Sequence, residues 1–549
     1  MALKRTKELH EAHIVHLAFL VLVLIAFLHT WTTTANLSWS HDDDIMRDTA
    51  HAQTILDGDF LGDPHYKGET IWYNPVLPAL VAGLSALSGE PVHEVYAQFG
   101  PLLNLWVPIV FYLFVVAFMG HRIGLAAAFA FLFLSNPEMQ SYSWASYSAW
   151  LYNANFAQGF FYLALIVLKR TLEHKDIKIF LLFGFALGIT FLCHVAPALL
   201  LGAIFVSVVA KAVWHAHKNG RLEEVKSIVR NALLALVTAF LVGLPLIVSI
   251  LGNYSLIIKN TAPSAWIFEP LLLERMSAFF LGEINFINLL ALLGLYRVCR
   301  TKGELRSARL LLLTWGGWAL AFFFYGYLRQ LAANNGLFSL NVVPEVHFLF
   351  YLRALASVCV GIALVFLCEF FVRRFLQNKL RETPPETQLI TVLILVLALV
   401  FVSTYDTYSD RHDFVHSRRI ALHLDRWVKS HDVYDWLREY TQPEDVFLTT
   451  NHLALFIVGP AGRKVVAVHD NRFSNPYVDW KERLMANNMM LEYLAENQLD
   501  EFRILAQEYG VTHVLVKDEF KKRLVEAQSS CLELMLSNTV IHLYRVQCV

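Results

Sequence analysis

Over most of this chain the apolar residues do not alternate with polar ones; they run. Stretches of the length a helix needs to cross a bilayer, about 20 residues, occupy 14–34, 96–119, 122–136, 150–168, 178–193, 196–214, 231–252, 283–298, 308–328, 347–371 and 388–404. Several are short or nearly fused, and together they predict about 11 transmembrane helices. "VLPALVAGLSALS", residues 76–88, is too short to span and reads as a helix lying at or dipping into the interface. From about 406 the pattern changes. "DVFLTT" (445–450), "KVVAVH" (464–469) and "THVLVK" (512–517) read as strands between helical stretches such as "VDWKERLMANNMMLEYLAEN", which predicts a soluble α/β domain on a small parallel sheet. "CLELMLSNTVIHLYRVQC" closes the chain as a hairpin turning near Ser537–Thr539. The expected architecture is a polytopic α-helical membrane region, 1–405, followed by a soluble α/β domain, 406–549.

Charge adds an orientation. "GHR", "KRTLEHKDIK", "KAVWHAHKNGRLEEVKSIVR", "RVCRTKGELRSAR" and "RRFLQNKLRE" fall in alternate loops, and the opposite loops are nearly free of Lys and Arg. The positive-inside rule then places the N-terminus in the cytoplasm, and loop 35–75, loops 135–149, 253–282 and 330–346 and the C-terminal domain on the other side. Counting 76–88 as a span would break this alternation. The first apolar run exceeds a signal-peptide core and no A-x-A site follows, so it reads as a retained span. A bacterial or archaeal plasma membrane fits, or the ER membrane in a eukaryote.

Composition agrees: 56% of residues are hydrophobic, 17% are charged, and the mean hydropathy is +0.46. A net charge of −1 supplies no basic field for nucleic acid. Neither G-x-G-x-x-G after a strand nor G-x-x-x-x-G-K-[ST] occurs, so no nucleotide cofactor is expected. Four of the six cysteines lie in or beside spans. Cys531 and Cys548 sit at opposite ends of the predicted hairpin, and either a cross-strand disulfide or two free thiols fits.

The unusual chemistry lies just past the first span, in "SHDDDIMRDTAHAQTILDGDF", 40–60. Asp42, Asp43 and Asp44 fall in the first turn of a predicted helix, where the dipole favours negative charge; an N-cap on a solvated face is the plain reading. At i, i+4 spacing Asp43 would face Arg47 and Asp44 would face Asp48. One carboxylate is then held ionised and the next meets like charge, which suits a general base or a cation site.

An acidic start to the first outward loop, an A-x-x-x-L-x-G-D helix, an aromatic and Pro-rich stretch and then a short helix make up "DDDIMRDTAHAQTILDGDFLGDPHYKGETIWYNPVLPALVAGLSALSG", 42–89. This resembles the GT-C superfamily of membrane glycosyltransferases, with a layout similar to protein O-mannosyltransferases and lipid A aminoarabinose transferases. The resemblance implies transfer of a sugar from a polyprenyl-phosphate donor to a glycan, lipid or protein acceptor on the non-cytoplasmic face, with inversion at the anomeric carbon. Counting back from Gly58-Asp59, Asp43 lines up with the family's catalytic aspartate and Asp44 with its second acidic residue. Asp42 takes the base's place if the helix is offset by one residue. Such a reaction needs a carboxylate for the acceptor's proton and cations for the departing lipid phosphate.

Arg47 and Lys67 are the only Lys or Arg residues of loop 35–75 and are the first choices for the phosphate. Arg353 is a third, inside the outward end of a span, where phosphate binding and snorkelling are both open. Asp48, His65, Tyr66, Tyr73, Lys259 and Arg275 are the candidates to line the substrate pocket, although aromatic residues here also suit membrane anchoring, and solvated loop charges are the plainer reading of Lys259 and Arg275. His194 reads as a hydrogen-bonded helix-end residue. Where some members carry a second acid near the fourth span, this chain has Asn153, Ala154 and Asn155, and metal use, a divalent cation included, stays open. The W-W-D motif of oligosaccharyltransferases is absent from "VYDWLREY" and "VDWKERL". A multi-span transporter or lipid flippase using the acidic loop for cation or proton coupling is the alternative, but transporters place ionisable groups near the midplane of repeated halves, and no repeat is evident.

Overall fold

The computed structural model describes residues 2–134, 147–263, 286–300, 305–335, 343–376, 384–429, 432–450, 452–524 and 531–549. Each apolar run named above contributes to a helix in this structure. Seven helical stretches among the described residues are long and apolar enough to cross a membrane: Glu11–Thr34, Gly100–Met119, Val195–Lys218, Leu222–Tyr254, Ala308–Gly326, His347–Leu376 and Pro385–Val428. His121–Phe133 and Ile177–Cys193 are shorter apolar helices. The 76–88 segment is a 13-residue helix, Val76–Ser88; at 1.5 Å per residue it reaches only about 20 Å against a hydrocarbon core of about 30 Å.

Two compact units emerge. The first comprises Met1–Ala35, Gly100–Gly243 and Ile267–His416. Its core is aliphatic and aromatic, with Phe111, Phe161, Tyr162, Trp315 and Val358 almost wholly buried. Absent side chains let its helices close up, as in membrane bundles generally. A methyl group on Gly361 would lie 2.6 Å from the Ala127 nitrogen, and one on Gly294 would overlap the Cys359 carbonyl.

The second unit gathers three separated stretches, Asn36–Phe99, Leu244–Trp266 and Ser417–Val549. Its sheet runs β2-β1-β3-β5-β4, with β1 Val446–Thr449, β2 Lys464–Val465, β3 Val511–Lys517, β4 Leu532–Ser537 and β5 Ile541–Val546. β1 lies parallel to β2 and β3, and the closing hairpin adds β5 and β4 antiparallel. The sheet is therefore mixed where the sequence predicted a parallel one. β2 is also shorter than "KVVAVH" suggested. Beyond Val465 only the Val466 amide still reaches β1, donating to the Phe447 carbonyl at 3.1 Å; the Trp480 indole donates to the Val468 carbonyl at 2.7 Å and Arg483 donates to that of Val466 at 3.5 Å. Backbone polar groups need partners, and at the Val466 and Val468 carbonyls side chains take the place of a neighbouring strand.

Strand alternation sorts the core into two layers. Val446, Leu448, Val514 and Val516 face Met490, Leu491, Phe502 and Ala506. Phe447 and Leu515 face the other way, in a cluster that includes Leu437, Val458 and, from the first loop, Trp39, Met46 and Tyr66. That loop also covers the sheet edge, where the Val465 amide donates to the His65 carbonyl at 2.7 Å.

Cys531 and Cys548 form a disulfide across the base of the hairpin, 17 residues apart in sequence. Closing a loop of that length stabilises a fold by about 3 kcal/mol in the chain-entropy account. The double variant Cys531→Ser/Cys548→Ser is expected to lose about 2–3 kcal/mol in denaturant unfolding; an unchanged midpoint would show that the hairpin is held by its ladder alone.

Candidate active site

The acidic loop folds into the helix Asp43–Leu56. Asp42 is its N-cap, extended at φ −124° and ψ 138°, and its carboxylate accepts from the Asp44 amide at 2.9 Å. This satisfies one of the orphan N–H groups of the first turn, so the Asp42 carboxylate is engaged in starting the helix. Every residue from Ile45 to Thr54 is then buried, Arg47, Asp48, His51 and Gln53 included. A buried polar helix is costly unless its groups are paired.

The pairing differs from the i, i+4 expectation. Arg47 does not take Asp43. Its Nη1 lies 2.8 Å from Asp44 Oδ1, its Nε and Nη2 donate to Asp48 Oδ1 at 3.0 and 2.8 Å, and its guanidinium stacks 3.8 Å over the Tyr73 ring. A guanidinium is a planar fork that can hold two carboxylates at once, and the adjacent and i+3 positions bring both to it. Burial would lower the Arg47 pKa, but the Asp48 charge, then Tyr73 and Asp44, outweigh it and hold the cation charged.

Asp43 is left over. No ion pair closes on it among the described residues. Burial first, then repulsion from Asp44 and Asp470, push its carboxyl from 3.8 to about 6, against a smaller opposing pull from Arg472. Asp470 and Arg472 come from the C-terminal segment. Asp470 caps the short turn Asn471–Phe473, and Arg472 holds it through Nε at 3.0 Å and Nη2 at 2.5 Å. That hydrogen bonding, together with Asp43 and Asp44, raises the Arg472 pKa. Nothing in the sequence pattern marked Arg472, which reaches the site helix only through the tertiary fold.

Behind this cluster the loop is pinned to the C-terminal segment. Asp63 accepts from the His65 and Tyr66 amides at 2.7 and 2.9 Å and from Asn475 Nδ2 at 2.9 Å. The Tyr66 hydroxyl meets Ser474 Oγ at 2.7 Å, and Lys464 Nζ donates to the Asp63 carbonyl at 2.6 Å. His65 and Tyr66 are thus buried packing residues in this arrangement. His51 and His65 are buried as well, each pushed down to about 3 by burial and then by the charges of Arg47 and Lys464. Both imidazoles are therefore neutral at physiological pH.

The remaining predicted residues are distributed elsewhere. Lys67 and Lys259 share a groove of about 610 Å³ with Glu69, Tyr254, Arg483 and Tyr509, and neither Asp43 nor Arg47 lines it. Arg353 belongs to the first unit, where its Nη2 donates to the Leu134 carbonyl at 2.5 Å, at the end of the helix His121–Phe133. His194, also there, caps the helix Val195–Lys218 through Nδ1. Asn153 and Asn155 are buried in the first unit. Arg275 lies outside the described residues. Among the described residues no three His, Cys, Asp or Glu side chains converge to hold a metal.

No family model and no curated protein sequence matches the chain. Solved structures do. ArnT from Cupriavidus metallidurans bound to undecaprenyl phosphate is 13% identical, with 96% of this chain and 97% of that one covered at a TM-score of 0.54. The same protein in the apo state is 12% identical over the same shares, at 0.52. The Archaeoglobus fulgidus oligosaccharyltransferase tethered to an acceptor peptide containing the NVT sequon is 14% identical, with 96% and 74% covered, at 0.50. At such identities the likeness is one of fold, and it extends over nearly the whole chain.

Proposed function

We propose that this chain, which has the GT-C fold, is a membrane glycosyltransferase that moves a sugar from a polyprenyl-phosphate donor to an acceptor, with Asp43 as general base. The observation that carries the reading is the charge arrangement at the start of the Asp43–Leu56 helix. Arg47 pairs with both Asp44 and Asp48, and Asp43, with no ion pair among the described residues, keeps a carboxyl at about 6. A base of that pKa is deprotonated at neutral pH and still takes a proton readily. The acceptor's nucleophilic group attacks C1 as its proton passes to Asp43 and the bond from C1 to the phosphate oxygen breaks, releasing polyprenyl phosphate. A single displacement of this kind inverts the anomeric carbon.

Arg47 directs Nε, Nη1 and Nη2 at Asp44 and Asp48 and serves here to position the acidic groups. Arg472 is the cation whose charge reaches Asp43 and Asp44, and it is our choice for the phosphate side. ArnT in the comparison is bound to undecaprenyl phosphate, which supports a donor of this class. The test is the pH dependence of transfer. Log kcat/KM should rise with unit slope up to about pH 6, the Asp43 value, and level off above it. A profile flat from pH 4.5 to about 8 would contradict Asp43 as the base.

A further inference from the structure

We propose that the crevice at the carboxyl end of β1 is a saccharide subsite holding one neutral sugar ring of the acceptor; the assignment to an acceptor rests on the transferase reading above. The strand order β2-β1-β3 means that the chain leaves β1 toward one neighbour and returns to β1's other side for β3. In open α/β sheets, ligands bind outside the carboxyl ends of the strands at such a reversal. A cavity of about 150 Å³ lies there, lined by Thr449, Thr450, His469, Asn487 and Asn488 over aliphatic side chains such as Leu491.

Size and chemistry narrow the occupant. A cavity of about 150 Å³ takes one six-membered ring. The polar lining consists of hydroxyls, amides and an imidazole, with no Lys, Arg, Asp or Glu; such groups exchange hydrogen bonds with hydroxyls and supply no fixed charge for an anion. A few directed polar groups over apolar walls is the usual composition of a small-molecule site. Asn487 fixes the floor, since its Nδ2 donates to the Thr449 carbonyl at 3.1 Å and its Oδ1 accepts from the Thr449 amide at 3.5 Å. Asn488 and His469 are exposed at the rim, and no side-chain hydrogen bond engages either of them among the described residues.

Position connects this crevice to the base. His469 in its wall is followed directly by Asp470–Arg472, the turn whose charges act on Asp43. Three residues span at most roughly 11 Å, so the rim residue His469 is tied by a short piece of chain to the turn whose charges act on Asp43. A polyprenyl-linked donor is anchored in the bilayer by its chain. A crevice built wholly by the C-terminal segment therefore suits the other reactant.

The test is saturation-transfer difference NMR on the full-length protein in nanodiscs. The probes are neutral methyl glycosides, both hexosides and N-acetylhexosaminides, with a methyl glucuronide as the charged control. At least one neutral glycoside should give a signal whose Kd rises about tenfold or more in both His469→Ala and Asn488→Leu, at unchanged thermal unfolding. Absence of any neutral-glycoside signal, or a signal that survives both rim substitutions, overturns the subsite. Should the chain release no polyprenyl phosphate from any donor while a rim-dependent glycoside signal persists, the saccharide subsite stands and the transferase reading fails.

Discussion

Asp43→Asn should abolish most transfer and, above pH 6, make the folded chain more stable. Loss of a general base costs about 10²–10⁴-fold in rate, and the amide cannot take the acceptor's proton. The stability gain follows from linkage. The Asp43 carboxyl sits at about 6 in the folded chain, with burial the main cause and repulsion from Asp44 and Asp470 next, against an ordinary value of 3.8. A carboxyl raised on folding binds its proton more tightly in the folded state, so its favourable contribution is present at low pH and is lost as pH rises from about 4 through about 6. At pH 7.5 the ionised side chain destabilises the fold by an amount on the order of 1–3 kcal/mol, allowing for solvent screening. Asparagine removes that cost. Thermal unfolding of wild type and variant should coincide near pH 4 and diverge in the variant's favour at pH 7.5, the expected trade between a strained site and stability. A variant less stable than wild type at both values would mean that Asp43 is held by a partner.

Arg47→Met should be the most destabilising single change in the site. The Arg47 side chain is 6% exposed and that of Asp48 2%, so its removal strands a buried carboxylate, and breaking a buried pair in this way costs about 3–5 kcal/mol. Arg47→Lys restores the charge without the fork that holds Asp44 and Asp48 together and should recover only part of the loss. The double variant Arg47→Met/Asp48→Asn, which removes the stranded charge, should regain more than half of the lost stability in a double-mutant cycle. Equal unfolding midpoints for the single and double variants would show that packing of Arg47 on Tyr73, and not charge, holds the helix.

The sequence made the local features legible and left the long-range ones hidden. Runs of apolar residues at 14–34 or 347–371 specify helix because a bilayer leaves the backbone no other partner. The three aspartates announced a helix start, and Asp42 caps it. What a spacing rule could not decide was which carboxylate Arg47 takes. Its side chain is long enough to reach i−3, i−4 or a neighbour, and the choice of Asp44 and Asp48 falls to the surrounding packing. Arg472 and Asp470 were invisible because they meet the site helix only through the tertiary fold. Trp39, Met46 and Tyr66 stand singly in a polar loop, without periodicity, and nothing local shows that they share a core with Leu437 and Phe447. The strand pattern "KVVAVH" was read too long because alternation predicts which face a residue occupies, not which group will satisfy its amide. The family resemblance supplied what spacing alone did not, the choice of Asp43 among three adjacent acids, and the proposal of Asp43 as base rests on the charge arrangement around it.

The most direct measurement is polyprenyl-phosphate release by the purified protein, given a panel of polyprenyl-phosphate sugars with a membrane extract as acceptor, comparing wild type with Asp43→Asn. Wild type should release polyprenyl phosphate from at least one donor in an acceptor-dependent manner, and folded Asp43→Asn should not. No release from any donor, under conditions in which an established GT-C enzyme turns over, would contradict the transferase account; equal release from both proteins would contradict the role given to Asp43.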